Sequence, residues 1–187
     1  MTTQEIRWHG RGGQGVVTAN EILAGAALLE GKYMKAFPEF GPERMGAPIR
    51  AFARISSEPI KVHSQVYFPD YVIVLDPTLI GNVDVLEGLK QDGVLVANYP
   101  DGTAKLKEVL KTDMKVYAVN ATQIALETVG RPIANTAMLG ALVKVSDIVK
   151  LESIESELRD KLGAKLSEKV VEKNVQSVER AYNEVGK

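Results

Sequence analysis

Six residues near the start of the chain, Gly10-Arg11-Gly12-Gly13-Gln14-Gly15, have the types and spacing to hold an anion. The glycines at 10, 12 and 15 fit the pattern G-x-G-x-x-G. One such glycine allows a tight turn out of a strand, one lets the backbone approach a phosphate, and one lets the next helix pack close to the sheet. Gly13 adds more bare backbone. Arg11 supplies a cationic fork and Gln14 a neutral donor and acceptor. A helix starting near Gly15 would aim its free N–H groups and the positive end of its dipole at the same spot. Close packing alone accounts for one glycine more readily than for four with an arginine and a glutamine among them. An anion-holding turn is therefore the favoured reading.

The ligand is less determined than the turn. A Walker A loop needs Lys and Ser or Thr after its last glycine, and Gly15 is followed by Val16 and Val17. A dinucleotide site needs an acid at the end of the second strand, then another crossover helix. Glu39 lies in the right region, but inside the Pro- and Gly-rich stretch Phe37–Pro48, and a hairpin is expected where the helix should come. That stretch places Glu39, Glu43, Arg44 and Arg50 on a stiff loop. It also offers Phe37, Phe40 and Met45, so it reads as an interface rather than a plain surface loop. His9, at the end of the first strand, reads as a structural hydrogen-bonder more than a general base. His63 reads as surface-facing. Asp76 ends a buried strand, where open sheets place ligand-binding residues, or else caps the turn before Pro77. No Ser-His-Asp set, close carboxylate pair or metal-ligand spacing is present, so catalytic residues and a metal site are not assigned to this chain.

The elements that must position these residues follow from periodicity. Glu5–His9 is a short strand ending at Gly10. Ala19, Ile22, Leu23, Ala26 and Ala27 have helical spacing, with Gly31 closing the helix. Lys32–Phe37 is a strand. Ile49–Ile55 and Ile60–Phe68 alternate and are expected to pair as an antiparallel hairpin. Tyr71–Asp76, Gly93–Tyr99 and Met114–Ala121 read as strands, the first two as buried parallel ones. Helices are expected over Leu79–Lys90, Thr122–Gly130 and Asn135–Val145, the last with Asn135 as its N-cap. From Leu151 two charged helices break near Gly163. The expected fold class is α/β: a mostly parallel central sheet flanked by helices, with an inserted antiparallel hairpin, a Rossmann-like variant. Residues 1–187 read as a single domain, with C-terminal helices from about residue 151.

Composition narrows the function classes. The 187 residues carry a formal net charge of -1, with 45% hydrophobic and 25% charged residues, so a nucleic-acid partner is not indicated. No apolar run approaches the ~20 residues that span a bilayer, so no membrane partner is expected. The N-terminal stretch lacks a charged-then-apolar leader, which points to a cytoplasmic protein. There is no cysteine, so no disulfide or cysteine-held iron–sulfur cluster can form within this chain.

Four blocks together carry a resemblance: Ile6–Tyr33, Ala36–Ser56, Val74–Leu79 and Asn135–Leu142. They resemble the gamma subunit of pyruvate and other 2-oxoacid:ferredoxin oxidoreductases (pyruvate synthases), over most of the chain from Ile6 to about Val145. The resemblance implies a mixed α/β subunit that is inactive alone and belongs to a hetero-oligomer with alpha, beta and delta-type subunits. In such enzymes a 2-oxoacid is decarboxylated on thiamine diphosphate with magnesium, electrons leave through [4Fe–4S] clusters to ferredoxin, and the acyl group passes to coenzyme A. The diphosphate, magnesium and clusters sit on partner subunits, and this chain would help form the coenzyme A region. Gly10, Arg11, Gly12, Gly13, Gln14 and Gly15 then become the cofactor-binding turn, and Glu43 and Arg44 contacts at a subunit interface or the active-site entrance. The alternatives are a free-standing NAD- or FAD-binding oxidoreductase domain, motivated by the fingerprint alone, and an assembly module whose turn binds nothing.

Overall fold

The computed structural model describes residues 3–39 and 45–186. In chain order these form β1 (Gln4–Arg11), α1 (Val16–Leu29), β2 (Tyr33–Glu39), β3 (Pro48–Ser56), β4 (Tyr71–Val74), β5 (Val94–Asn98), α2 (Gly102–Leu110), β6 (Lys115–Val119), α3 (Ala121–Thr128), α4 (Asn135–Val145), α5 (Leu151–Gly163) and α6 (Glu168–Glu184). The six strands make one sheet in the order β2-β3-β1-β4-β5-β6. β1–β4, β4–β5 and β5–β6 are parallel, whereas β3 runs antiparallel to both β1 and β2.

The expected α/β class holds, but the hairpin has different partners. β3 pairs with β2 on one side and β1 on the other. Both of its edges are then filled, so residues 60–68 have no strand to join and cross the sheet without forming a ladder. Their carbonyls accept from side chains instead: Ser64 and Gln65 from Arg54 at 2.6 and 2.9 Å, and Val62 from Lys35 at 3.1 Å. The helix expected over Leu79–Lys90 is likewise absent beyond a single 3-10 turn, Pro77–Leu79. Gly81 and Gly88 adopt φ of +84° and +67°, and Asp84 Oδ1 accepts the Leu86 N–H at 3.1 Å, which turns the chain locally. Helix-like spacing of Ile80, Val85 and Leu89 is thus met by buried turns. α2 was not anticipated from the sequence. Its one buried residue is Leu106, too little apolar periodicity to mark a helix.

One face of the sheet is covered by α1 and α3–α6 around Ile6, Trp8, Ile73 and Val96. The opposite face of β4–β6 is covered by α2 and the turns near Leu79–Leu89. α1 turns its fully buried Ala19, Ile22, Leu23, Ala26 and Ala27 inward, as the spacing predicts. It ends in a Schellman motif: Gly31 (φ +71°) donates to Leu28 O and Lys32 to Ala27 O. α4 is apolar nearly all round because it lies between the sheet and α6. There the Gly140 site admits no side chain, since a Cβ would overlap the Val178 carbonyl of α6. At Gly25 a Cβ would meet only the carboxylate of Glu157, the movable end of a long side chain. Urea unfolding should therefore find Gly140→Ala destabilising by roughly 1–3 kcal/mol, and Gly25→Ala by less. Equal costs would remove the argument from backbone contact.

Candidate functional site at the glycine turn

β1 leads straight into the glycine turn, and β4 ends beside it. β1 is followed by a return toward β3 and β2, while the chain after β4 moves toward β5 and β6, so the carboxyl ends of β1 and β4 flank the topological switch point. All six residues of the predicted turn converge here. Gly10 lies under α1, where a Cβ would overlap Val16 Cγ2. Gln14 N–H donates to Arg11 O at 3.1 Å, closing the turn, and Gly13 and Gly15 take φ of +94° and +78°. Gly15 is the N-cap of α1, with no side chain capping the helix. The first N–H groups of any α-helix lack intrahelical partners, so those of α1 remain available at the turn.

Side chains brace the turn from three directions. Gln14 Oε1 accepts the Arg11 N–H at 2.7 Å and Gln14 Nε2 donates to Asp76 Oδ2 at 2.5 Å. The Arg11 guanidinium faces Asp76 at 3.2 Å, donates to Thr78 Oγ1 at 2.9 and 3.2 Å, and reaches Gly46 O at 3.1 Å. Burial acts to raise the Asp76 pKa, but hydrogen bonds from Thr78 and Gln14, with Arg11 nearby, hold it below the ordinary carboxylate value. From α4, Asn135 donates to Gly15 O at 3.3 Å. Asn135 is the first helical residue and not the cap, and its side chain fills the space a Cβ at Gly15 would need. From the loop after β2, Gly12 N–H donates to Ala47 O at 2.9 Å and Gly46 N–H to Gly12 O at 3.1 Å. Met45, beside Gly13, is 91% exposed.

Glu43 and Arg44, with Phe40, lie outside the described residues. Glu39 and Arg50 form a two-pronged ion pair at 2.5 and 2.9 Å on the β2–β3 hairpin, which lowers the Glu39 pKa. Glu39 is thus engaged away from the place a ribose-binding acid would occupy. His63 is exposed, beside Lys35. Thr78, Asn98 and Thr122 were not predicted. Asn98 donates to Leu75 O and Thr122 Oγ1, both at 2.8 Å, and Gln14, Asp76, Asn98 and Thr122 line a cleft of about 80 Å³. The Asp-Pro-Thr run was the sequence signal for Thr78, since Asp commonly bonds the backbone two residues on. A larger hollow of about 640 Å³ lies at the other end of α1, but it mixes Glu30, Asp147 and Glu152 with Lys32 and Lys150 and faces no glycine turn.

His9 is 3% exposed and its Nε2 accepts from Arg7 Nε at 3.0 Å, so it is neutral with its proton on Nδ1. Burial, then Arg7 and Arg50, push its pKa down to about 3. A group that weak is no general base near neutrality. Arg7, 2% exposed, donates to Glu87 O at 2.6 Å and Val85 O at 3.3 Å, which ties the residues after β4 to β1.

This arrangement, a strand–glycine turn–helix unit inside a sheet with one antiparallel intruder, agrees with the comparisons to known proteins. The family model for pyruvate ferredoxin/flavodoxin oxidoreductase matches residues 5–184, and the chain belongs to that family. It is 54% identical over 166 residues to the common gamma subunit of the pyruvate/ketoisovalerate oxidoreductases of Pyrococcus abyssi, covering 88% of this chain and 90% of that one. Among solved structures it resembles pyruvate oxidoreductase subunit PORC of Thermotoga maritima, with a TM-score of 0.87, 42% identity, and 99% and 98% of the two chains covered. It also resembles part of the 2-oxoglutarate:ferredoxin oxidoreductase of Magnetococcus marinus, solved with 2-oxoglutarate, coenzyme A and succinyl-CoA bound. That match has a TM-score of 0.79 and 25% identity, and covers 98% of this chain but 31% of that one.

The His9 environment has a measurable consequence. Its pKa is about 3 folded against 6.5 unfolded, so between those values the unfolded chain binds the extra proton and stability falls as pH drops. From pH 7 to pH 5 this group should cost about 2 kcal/mol. His9→Gln keeps an acceptor for Arg7 and removes the titration. Urea midpoints of the two proteins should lie close together at pH 7 and separate toward pH 5, the wild type falling below His9→Gln; parallel pH profiles would contradict the assignment.

Proposed function

We propose that this chain serves as the gamma subunit of an assembled enzyme that oxidatively decarboxylates a 2-oxoacid, pyruvate foremost, to acyl-coenzyme A with electrons passing to ferredoxin. In this reading Gly10–Gly15 faces the diphosphate of coenzyme A, and the chain otherwise contributes to assembly. The observation that carries it is the uncapped N-terminus of α1 behind an exposed Gly13, with the Arg11 cation alongside. Helix N–H groups and a guanidinium are the donors a phosphate needs. The Magnetococcus relative, solved with coenzyme A bound, supports the same ligand.

Among the described residues the site is a turn and not an enclosed pocket. Its cleft of about 80 Å³ is far below the ~300 Å³ of ordinary small-molecule sites. A neighbouring subunit completes the site, with the loop carrying Glu43 and Arg44 at that contact and the exposed Met45 at its end. Thiamine diphosphate, magnesium and the [4Fe–4S] clusters belong to the alpha, beta and delta-type subunits, and the absence of cysteine here accords with that division. The assembly works in the cytoplasm, and residues 1–187 act as one domain. A free-standing NAD or FAD enzyme is not favoured: antiparallel β3 stands beside β1 where a dinucleotide fold has its parallel second strand.

In the reconstituted complex, Arg11→Ala should raise the KM for coenzyme A about tenfold, with kcat at saturating coenzyme A within about twofold. Initial rates of ferredoxin reduction test this, and an unchanged KM would take the turn out of the coenzyme A site. The isolated chain should be colourless and inactive; 2-oxoacid oxidation by it alone would sink the proposed division of labour.

A further inference from the structure

Asp76 is 6% exposed and stands directly beside the glycine turn. Its two oxygens have different partners. Oδ1 accepts the Thr78 N–H at 2.8 Å and the Thr78 hydroxyl at 2.6 Å, closing the turn out of β4. Oδ2 accepts from Gln14 Nε2 at 2.5 Å and faces Arg11 Nε at 3.2 Å. A carboxylate has about four lone-pair sites; three hydrogen bonds are made here, and the Arg11 guanidinium lies against Oδ2 as an ion pair. Although Asp76 sits where open sheets bind ligands, both of its oxygens are engaged by groups of the protein itself. Gln14 passes the constraint on, because its Oε1 holds the Arg11 N–H at 2.7 Å.

We propose that Asp76 is a positioning residue for the anion-facing turn: through Oδ2 it orients the Gln14 amide and the Arg11 guanidinium, so that the turn is already set for a nucleotide diphosphate. This rests on the reading of the turn as the coenzyme A contact. Positioning and charge make opposite demands here. A carboxylate beside an anion site is repulsive, so by electrostatics alone neutralising it tightens binding. If its work is to orient donors, neutralising it weakens binding.

The test uses the assembled oxidoreductase carrying Asp76→Asn. An asparagine keeps an oxygen for Thr78 and turns an NH₂ group toward Gln14 and Arg11, so the β4 turn survives and both Oδ2 contacts are lost. The calorimetric Kd and the KM for coenzyme A should rise about tenfold, with the KM for the 2-oxoacid unchanged. Combining Asp76→Asn with Gln14→Glu restores one amide-to-carboxylate bond with its direction reversed, and should bring the Kd back to within about threefold. A merely structural role would not produce that rescue. Should the Asp76→Asn complex fail to assemble on size exclusion, Gln14→Leu breaks the same bond from the other side and must show the same loss of affinity. An unchanged or tighter Kd, where Arg11→Ala weakens binding, overturns the role of Asp76. No effect from Arg11→Ala either means that the coenzyme A reading itself has failed.

Discussion

The antiparallel placement of β3 between β1 and β2 is the constraint from which the site follows. It puts a hairpin on one side of β1 and the parallel run β4–β5–β6 on the other. The carboxyl end of β1 thereby becomes the place where the sheet changes direction, and the glycine turn sits at that place. The hairpin also leaves half of one sheet face without a helix. Its side chains form cross-strand rows: Lys35, Arg54 and Glu5; Phe37, Phe52 and Arg7; Glu39, Arg50 and His9. Such a face cannot be closed by apolar packing alone. Main-chain carbonyls close it instead, those of Val62, Ser64 and Gln65 over Lys35 and Arg54, and those of Val85 and Glu87 over Arg7. Buried guanidinium groups here do the work of a covering helix, and their hydrogen bonds satisfy polar groups that burial would otherwise penalise.

At the turn, nearly every side-chain polar group is occupied by another. Gln14 is shared between Arg11 and Asp76, Asp76 between two loops, and Asn135 is held against Gly15. The available groups are main-chain N–H donors and part of one guanidinium. Such a surface recognises negative charge and close approach, and carries little information about the rest of a ligand. Selectivity among nucleotide-bearing molecules then has to come from elsewhere. Under the proposed function, a neighbouring subunit beside the small cleft and the exposed Met45 would be its source.

Local patterns in the sequence were informative where local physics dominates. The glycine spacing, the small-residue face of α1, the run Tyr71–Val74 and the break near Gly163 all describe elements whose periodicity and breakers are self-sufficient. Reading failed where the outcome depended on which edge was free. Ile60–Phe68 alternates like a strand, but β3 had no edge left. Leu79–Lys90 has helical spacing, but Gly81, Asp84 and Gly88 favour turns. At the site, the six turn residues were legible as a set because they are contiguous. Thr78, Asn98, Thr122 and the bracing role of Asn135 were not, because they meet the turn only through folding, across separations such as the 120 residues between Gly15 and Asn135.

The fingerprint G-x-G-x-x-G specifies a strand, a turn and a helix start, and that much of it is realised here. What makes the same fingerprint a dinucleotide site is the next strand, parallel to the first and ending in an acid for the ribose. Here the next strand turns back through a hairpin, and its acid, Glu39, is committed to Arg50. The unit therefore keeps the half of the device that handles phosphate and lacks the half that reads the nucleoside. The loop between β2 and β3 is stitched to the turn by Gly12, Gly46 and Ala47. Under the proposed function, a turn that shares hydrogen bonds with this loop would couple ligand contact to subunit contact. Such an arrangement suits a chain whose site is finished by its neighbours.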